Sequence, residues 1–564
     1  MPVRRQTELP APNDYFRPPA DSRHAPEFSG LLHIAQSPIQ TRPRLEKPKI
    51  EGRDACRLPR ITLGFVTAGD VLIPLQRGRI VSEHRPGETA SYWSVIPQFG
   101  RVWRDPAEEG PWSRAAFPLM LVGDTENHSH QGVATFRYKG REVSELEFQF
   151  VQQTAPYLLH QHFIGWGRAR MKFAPLPARE AELQRASARA ELARRLPQQP
   201  WAELVRKTTP KSLEGFGGPV RQPWRVLTAL VRDGVIHYQE SATPCGNYPY
   251  PLEMRLGVRS VMKSIGAPLA LLRLAQTCGP YVLTLKIGDF VDGLDPKYRA
   301  VRFIDAANMA SGFGGTGTWK TNPNDPLDGY LDGDYDAWYT APSHRGKLKH
   351  IRRSLRPYPW APGTVMRYRD QDFYLLGVAL DRFVKAMRGP GSDVWDMLRS
   401  EVFEPIGIAH APLVRTREAR NRRGLPWFNA GYYPTVDDLA KIALLYQSRG
   451  AYGGEQILHR RLTEGLLAAR EAIPKRGDLS LGIGEAGGEL YRMGFHFRPY
   501  VGARGKRYHL PTMWGAGESE VILYPNGLVS IVIAKALDLP PGETAKSDAG
   551  PETERAVERL VPFD

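Results

Sequence analysis

The chain has few cysteines and no long apolar segment. Cys56, Cys245 and Cys278 lack Cys-x-x-Cys spacing, so neither a zinc nor a redox motif of that kind is predicted, and an odd number leaves at least one thiol unpaired. No uninterrupted apolar stretch is long enough to cross a bilayer, which excludes a predicted membrane span. No nucleic-acid-binding motif occurs either, so a nucleic-acid partner is not predicted.

Positive charge is in excess, with 76 Lys and Arg against 60 Asp and Glu and a net charge of +16. Much of it lies in short clusters, at residues 185–195, 352–356 and 415–423. The simplest interpretation is solvated helix faces and loops. The alternative is attraction of an anionic partner, such as an envelope polymer or glycan, or an acidic substrate.

Composition divides the chain into four predicted parts. Residues 1–30, rich in proline and charge, predict an extended arm. Short alternating runs over residues 31–176 predict an antiparallel β-rich domain. Residues 177–205, rich in Ala, Glu and Arg, predict a helical linker, and residues 206–564 form the second and larger domain.

The second domain contains two candidate catalytic residues, Ser260 and Lys263. Ser260 and Lys263 open an apolar run that reads as a buried helix, and residues three apart lie on the same helix face. A serine hydroxyl needs a base before it is a good nucleophile. A partly desolvated lysine one turn away has a lowered pKa and can help to provide that base. Ser-x-x-Lys alone is a weak signal, because it recurs by chance in any long chain.

Six segments follow the Ser-x-x-Lys in a recognisable order. They are NMASGF (308–313), APGT (361–364), YRDQDFYLLG (368–377), FEPIGI (403–408), TVDDLA (435–440) and WGAG (514–517). With a predicted strand hairpin over residues 520–535, this order resembles class C β-lactamases, related esterases and penicillin-binding proteins. The resemblance covers residues from about 206 to 564.

The resemblance implies a fold and a set of roles. The fold is α+β: an antiparallel sheet flanked by helices with a helical subdomain, here preceded by the β-rich N-terminal domain. Ser260 would form an acyl-enzyme, Lys263 would join the proton transfers, and Tyr368 would be the general base and acid. The backbone N–H groups of Ser260 and of Gly515 or Ala516, beside Trp514, would form an oxyanion hole. No metal or organic cofactor is implied.

Two departures from the family pattern modify this expectation. Asp370 stands where the family has Asn, and its carboxylate would pair with Lys263 and keep it protonated, unless it faces solvent or pairs with Arg369. Met513-Trp514-Gly515 stands where β-lactamases have Lys-Thr-Gly, so the cation that holds a substrate carboxylate is missing. We therefore expect a neutral ester or amide rather than a β-lactam or a D-Ala-D-Ala peptide.

The sequence thus predicts a serine hydrolase, most simply a carboxylesterase or acyl-transfer enzyme acting on a small or oligomeric ester. An amide or peptide hydrolase of the same fold (an oligomer amidase, D-aminopeptidase or DD-peptidase) is an alternative. A weakly catalytic envelope protein that binds glycan or peptidoglycan is another. No apolar segment follows Met1-Pro2-Val3-Arg4-Arg5, so no signal peptide is predicted. A periplasmic or secreted location is expected if a leader was removed, and a cytoplasmic one otherwise.

Two features of the N-terminal domain suggest binding sites. An aromatic-rich stretch would stack on sugars if exposed, but a core role is favoured; it comprises Tyr92, Trp93, Phe99, Trp103 and Trp112. Two His-x-His pairs would bind zinc if they converged, but no carboxylate or cysteine is visibly paired with them; they are His128 with His130 and His160 with His162.

Overall fold

A computed structural model describes residues 8–83, 87–104, 110–123, 125–218, 224–314, 324–327, 329–331, 334–468, 484–486, 488–537 and 551–563. Its first half is built on one large antiparallel sheet. The twelve strands are β1 (Ser29–Ile34), β2 (Gln40–Arg42), β3 (Ile61–Ala68), β4 (Val71–Pro74), β5 (Trp93–Pro97), β6 (Gly100–Trp103), β7 (Ser113–Gly123), β8 (Ser129–Lys139), β9 (Glu142–Val143), β10 (Leu146–Gln153), β11 (Ile164–Ala169) and β12 (Met171–Pro175).

The strand order is β12-β1-β3-β4-β6-β7-β8-β10-β11-β2, with β5 paired to β7 and β9 to β8. Every residue of β7 is buried, and residues 115–122 are apolar throughout, as in a strand that is covered on both faces. Strands β11 and β12 are separated by a single residue, Arg170.

A second sheet forms the centre of the other half. Its strands are β13 (Gln198–Pro200), β14 (Arg225–Arg232), β15 (Val235–Tyr238), β16 (Gly484–Ala486), β17 (Glu489–Arg492), β18 (Phe495–Val501), β19 (Arg507–Gly515), β20 (Ser519–Leu523) and β21 (Val529–Ala534). They are ordered β13-β15-β14-β21-β20-β19-β18-β17-β16, and all neighbours are antiparallel except β13 with β15. Asp233 and Gly234 turn the β14–β15 hairpin with positive φ, as their Asp-Gly sequence predicts.

The described residues form twelve α-helices, of which several cover the two faces of the second sheet, while the first helix packs on the first sheet. They are α1 (Ala178–Ala193), α2 (Trp201–Lys207), α3 (Val261–Cys278), α4 (Pro296–Arg299), α5 (Phe303–Ala307), α6 (Tyr335–Thr340), α7 (His344–Ser354), α8 (Asp370–Arg388), α9 (Val394–Leu398), α10 (Val436–Gln447), α11 (Arg460–Leu467) and α12 (Glu552–Leu560). Helices α3 and α10 pack on one face, and α2 and α12 share a separate core on the other. The predicted α+β fold, an antiparallel sheet flanked by helices behind a β-rich N-terminal domain, is confirmed.

Two segments outside the sheets, the N-terminal residues and the predicted helical linker, contact the sheets more closely than the predicted extended arm and continuous linker would. The backbone N–H of Ala11 donates to Gln149 of the first sheet at 2.9 Å, and the Asn13 amide donates to the Gly246 carbonyl at 3.0 Å. Residues 8–16 therefore contact both halves of the molecule. The predicted linker is interrupted, because β13 lies between α1 and α2 and pairs with the second sheet. In the part of the chain that the structure describes, no helix is long and apolar enough to cross a bilayer.

Candidate active site

Ser260 lies directly before the first turn of α3, so the positive end of the helix dipole is at this residue. One turn later, Lys263 Nζ donates a 2.6 Å hydrogen bond to Ser260 Oγ, as the three-residue spacing predicts. Lys263 is fully buried, whereas Ser260 keeps 9% exposure and lines a pocket. The candidate nucleophile therefore faces the pocket, with a basic group behind it.

Asp370, the first residue of α8, pairs with Lys263 across the site. The distance between Lys263 Nζ and Asp370 Oδ1 is 2.6 Å, and the same ammonium donates to the Asn429 carbonyl at 2.8 Å. Burial alone would lower the pKa of Lys263, but the charge of Asp370 and the interaction with Tyr368 raise it, and the balance lies above the ordinary value. Lys263 is a cation in the resting site, as the Asp in place of Asn predicts.

Two phenols bind the carboxylate of Asp370 from another side. Tyr335 Oη donates to Asp370 Oδ2 at 2.6 Å, and Tyr330 Oη donates to the same oxygen at 3.3 Å. The carboxylate is buried, so it does not face solvent. Arg369 instead donates to the Tyr358 hydroxyl at 2.7 Å. The Asp370 carboxylate is thus held in the site by Lys263 and two phenols.

Tyr368 lies beside Lys263 and also lines the pocket. The centroid of its ring is 5.0 Å from Lys263 Nζ. Burial raises the pKa of the Tyr368 hydroxyl, the Lys263 charge lowers it and the Asp370 charge raises it, which leaves it above the ordinary value. Interaction with Ser260 also lowers this pKa. The phenol is therefore neutral at rest and adjacent to the serine with which it would exchange a proton.

The end of β19 lies against the start of α3. Trp514 and Ala516 line the pocket, and Gly515 between them approaches the helix very closely. A Cβ on Gly515 would lie 2.3 Å from the Val258 carbonyl oxygen and 3.3 Å from the Ser260 nitrogen, so a larger residue does not fit. The strand end and the Ser260 amide therefore border the same space, which is the arrangement that an oxyanion hole needs.

The pocket in front of Ser260 has a volume of about 670 Å³ and a mainly apolar wall. Its larger side chains are Leu327, Tyr330, Met366, Tyr368, Phe497 and Trp514. Both basic side chains of the described lining are engaged by carboxylates. Arg498 binds Glu520 and Glu554, and His496 Nδ1 lies 2.5 Å from Glu489 Oε1. Neither offers an uncompensated charge to a substrate anion.

His496 and Glu489 are site residues that the sequence analysis missed. The His496 ring is 5.9 Å from the Tyr368 ring and 5.7 Å from the Trp514 ring. It reaches the pocket because β18 pairs with β19 in a register that places His496 opposite Thr512. No local motif marks this residue, since its position depends on strand register alone. Tyr330 and Tyr335 were missed for a similar reason, because only the tertiary fold brings them to Asp370.

The aromatic stretch of the N-terminal domain belongs to the core. Tyr92, Trp93, Phe99 and Trp103 are at most 4% exposed, so these rings offer no surface for stacking on a sugar. Trp112 is only half-buried. Four of the five rings are therefore unavailable for glycan binding.

The two His-x-His pairs do not converge on a metal site. His128 and His130 are fully buried, and burial lowers the pKa of both imidazoles well below the ordinary value, so they are neutral. His160 is exposed, and His162 Nε2 contacts the Leu537 carbonyl at 2.9 Å. Within the described residues, no group of three or more His, Cys, Asp or Glu side chains is arranged to hold a metal ion. The zinc alternative has no support here.

Comparison with known proteins gives structural likenesses only. No model of a protein family and no curated protein matches the chain. It is similar to an octameric penicillin-binding protein homologue from Pyrococcus abyssi, with 17% identity, coverage of 60% of this chain and 74% of that chain, and a TM-score of 0.38. It is also similar to a class C β-lactamase in complex with cefoxitin (13% identity, 59% and 92% coverage, TM-score 0.38) and to a family VIII carboxylesterase (13%, 59% and 90%, TM-score 0.37). At such identities and TM-scores, a function rests on the geometry of the site.

Replacing Asp370 by Asn tests the charge balance of the site. Asp370 raises the pKa of both Lys263 and Tyr368, so its neutralisation should lower both. Whichever group accepts the Ser260 proton then becomes deprotonated at a lower pH. We expect the acidic limb of the kcat/KM profile of Asp370→Asn to move to lower pH, and amide substrates to gain relative to esters, because Asn supplies an amide donor.

Asp372→Asn is the matched control for this measurement. Asp372 lies two residues further along α8, is equally buried and accepts a 2.8 Å hydrogen bond from Tyr298 instead of contacting Lys263. Its neutralisation should leave the acidic limb in place. An unchanged pH profile and ester-to-amide ratio in Asp370→Asn would remove Asp370 from the chemistry.

Proposed function

We propose that this protein is a serine hydrolase that cleaves neutral carboxylic esters through an acyl-enzyme on Ser260. The observation that carries the proposal is the hydrogen bond of 2.6 Å between Lys263 Nζ and Ser260 Oγ at the start of a helix that faces a pocket. A hydroxyl that accepts a hydrogen bond from a buried ammonium, lies beside the Tyr368 phenol and stands at a helix N-terminus is suited to nucleophilic attack once the Tyr368–Lys263 pair has lost a proton, because the proton acceptor and the oxyanion donor are then both close.

The proposed reaction has two steps. The pair formed by Tyr368 and Lys263 first loses one proton to solvent; Ser260 Oγ then attacks the ester carbonyl carbon, and its proton passes to this deprotonated pair. The tetrahedral intermediate collapses, the C–O bond to the leaving alcohol breaks, and the alcohol takes up that proton. Water then attacks the acyl-enzyme in the same manner and releases the acid. Because Lys263 is charged and Tyr368 neutral at rest, the base is formed more readily at alkaline pH.

The pocket favours a neutral substrate over an anionic one. A β-lactam or a D-Ala-D-Ala peptide carries a carboxylate that needs a cationic partner. Here Arg498 is bound by two carboxylates and His496 by one, while the rest of the described wall is mainly apolar. A carboxylate placed in this pocket would lose water without gaining an uncompensated cation from the described wall, which costs free energy. An ester with an apolar acyl group avoids that cost.

A panel of chromogenic substrates tests the proposal directly. We expect hydrolysis of p-nitrophenyl esters with a burst of one equivalent per site, faster than hydrolysis of the matched p-nitroanilides or of nitrocefin. Preference for the anilides would instead support the amide hydrolases of the resembled family. If esters, anilides and nitrocefin are all untouched and a fluorophosphonate probe does not label the protein, the proposal is wrong, and a binding function remains.

A further inference from the structure

The residue before the candidate nucleophile has an unusual backbone. Arg259 has φ of +48°, in the left-handed region that non-glycine residues seldom occupy. This conformation is unfavourable for a residue with a side chain, so surrounding contacts must impose it. Because Arg259 directly precedes Ser260, its backbone conformation determines the direction in which the Ser260 hydroxyl points.

The contacts that impose this conformation come from the N-terminal domain. The backbone N–H of Arg259 donates to Asn127 Oδ1 at 2.6 Å, and the Asn127 amide donates to the Tyr432 carbonyl at 3.0 Å. The Arg259 guanidinium lies 3.2 Å from Glu126 Oε2. Asn127 and Glu126 are fully buried and precede β8 of the first sheet. Asn127 therefore binds the strained backbone and Glu126 binds the side chain of the same residue.

The same region of the N-terminal domain also fixes the segment that leads to Ser260. Ser129 Oγ accepts a 2.9 Å hydrogen bond from the Gly257 N–H, and the Gln131 amide donates to the Arg255 carbonyl at 2.8 Å. A Cβ on Gly257 would lie 2.4 Å from the Asn127 carbonyl oxygen, so the two backbones are in direct contact. The segment of chain that leads to Ser260 is thus hydrogen-bonded to the first sheet at both Arg255 and Gly257.

The N-terminal domain also reaches the other wall of the site. A Cβ on Gly517 would lie 2.3 Å from Ala155 Cβ, so the turn after Ala516 packs directly against residue 155. The N-terminal domain therefore contacts both the segment before Ser260 and the strand end that borders the predicted oxyanion hole.

We propose that the N-terminal domain is a structural component of the active site, and that Asn127 and Glu126 are positioning residues for Ser260. The inference rests on the proposed serine hydrolase function. Asn127 and Glu126 do not line the pocket, and both bind Arg259, the residue before the nucleophile. If Asn127 no longer holds the Arg259 N–H, the residue relaxes toward an ordinary φ and the Ser260 hydroxyl turns away from Lys263. A displacement of about 1 Å at a reacting atom typically slows a reaction by about 10²-fold.

The test measures Asn127→Ala with a fluorophosphonate probe and with an ester. We expect acylation by the probe to be about 10- to 100-fold slower and kcat to fall by a similar factor, with KM within a few-fold of wild type. The labelling should still reach one equivalent per chain, since the nucleophile is present but misdirected. A purely structural role would lower the melting temperature without changing the labelling rate of the folded protein.

Tyr157→Phe is the matched control. It removes a 2.7 Å hydrogen bond between the Tyr157 hydroxyl of the N-terminal domain and Asp336 of the second domain, but leaves the Arg259 backbone untouched. Its labelling rate should equal that of wild type. If Asn127→Ala does not fold, Ser129→Ala takes its place, and acylation should again be slower.

The outcomes separate this inference from the proposed function. A wild-type protein that the probe does not label overturns both. A labelled wild type, with the tested variant labelled at the wild-type rate, overturns only the role of the N-terminal domain. Equal slowing by Tyr157→Phe also overturns it, because the effect would then follow from general loosening between the domains.

Discussion

Replacing Ser260 by alanine should abolish both ester turnover and covalent labelling. The substitution removes the atom that forms the acyl-enzyme, and no neighbouring group can take its place at the start of α3 without moving the backbone. Lys263 keeps its other partners, the Asp370 carboxylate and the Asn429 carbonyl. We therefore expect the free energy of unfolding to change by only about 1 kcal/mol.

Intact-protein mass spectrometry after fluorophosphonate treatment measures this effect. Wild type should gain one adduct and Ser260→Ala none. Ser264→Ala is the matched control, because it removes a buried hydroxyl one turn further along α3 that donates to the Gly494 carbonyl at 2.6 Å. That variant should be labelled like wild type. An adduct of wild-type yield on Ser260→Ala would mean that another residue is the nucleophile.

The sequence predicted the parts of the site that depend on local spacing. Ser260 and Lys263 meet because they are three residues apart on a helix, and a helix is predictable from its apolar run. The pairing of Asp370 with Lys263 was predictable only conditionally. The Asp in place of Asn at position 370 indicated that this residue could pair with Lys263. The distance of 2.6 Å and the two phenols that bind Asp370 could be found only in the folded structure.

The sequence could not predict contacts that depend on how the two domains meet. Asn127 and Arg259 are 132 positions apart, and nothing in the local sequence of either indicates the other. The aromatic stretch of the N-terminal domain shows the same limit. Its composition was compatible with a sugar-binding surface or a core, and only the folded structure shows that most of its rings are buried in the core. The interrupted linker is a different case, because Pro197 and Pro200 disfavour a continuous helix there, whereas the parallel pairing of β13 with β15 depends on the fold.

Replacing Tyr368 by phenylalanine should lower kcat by a factor on the order of 10² to 10⁴, with ground-state binding little changed. The substitution keeps the ring, which packs 5.3 Å from the Tyr330 ring and 5.0 Å from Lys263 Nζ, and removes only the hydroxyl. That hydroxyl is the group beside Ser260 whose pKa is lowered by Lys263 against the effect of burial. Its loss should therefore affect proton transfer and leave substrate contacts intact.

Single-turnover kinetics with a p-nitrophenyl ester measures the two half-reactions separately. If the phenol serves as base in acylation and again in deacylation, both rates should fall, and the acyl-enzyme should not accumulate beyond the wild-type level. Tyr491→Phe is the matched control, because its buried ring packs 6.2 Å from the Tyr368 ring but does not line the pocket. Its kinetics should stay within a few-fold of wild type. A Tyr368→Phe variant that is equally active would assign proton transfer to Lys263 or to water, and the high pKa of Lys263 beside Asp370 would then have to fall when substrate enters the pocket.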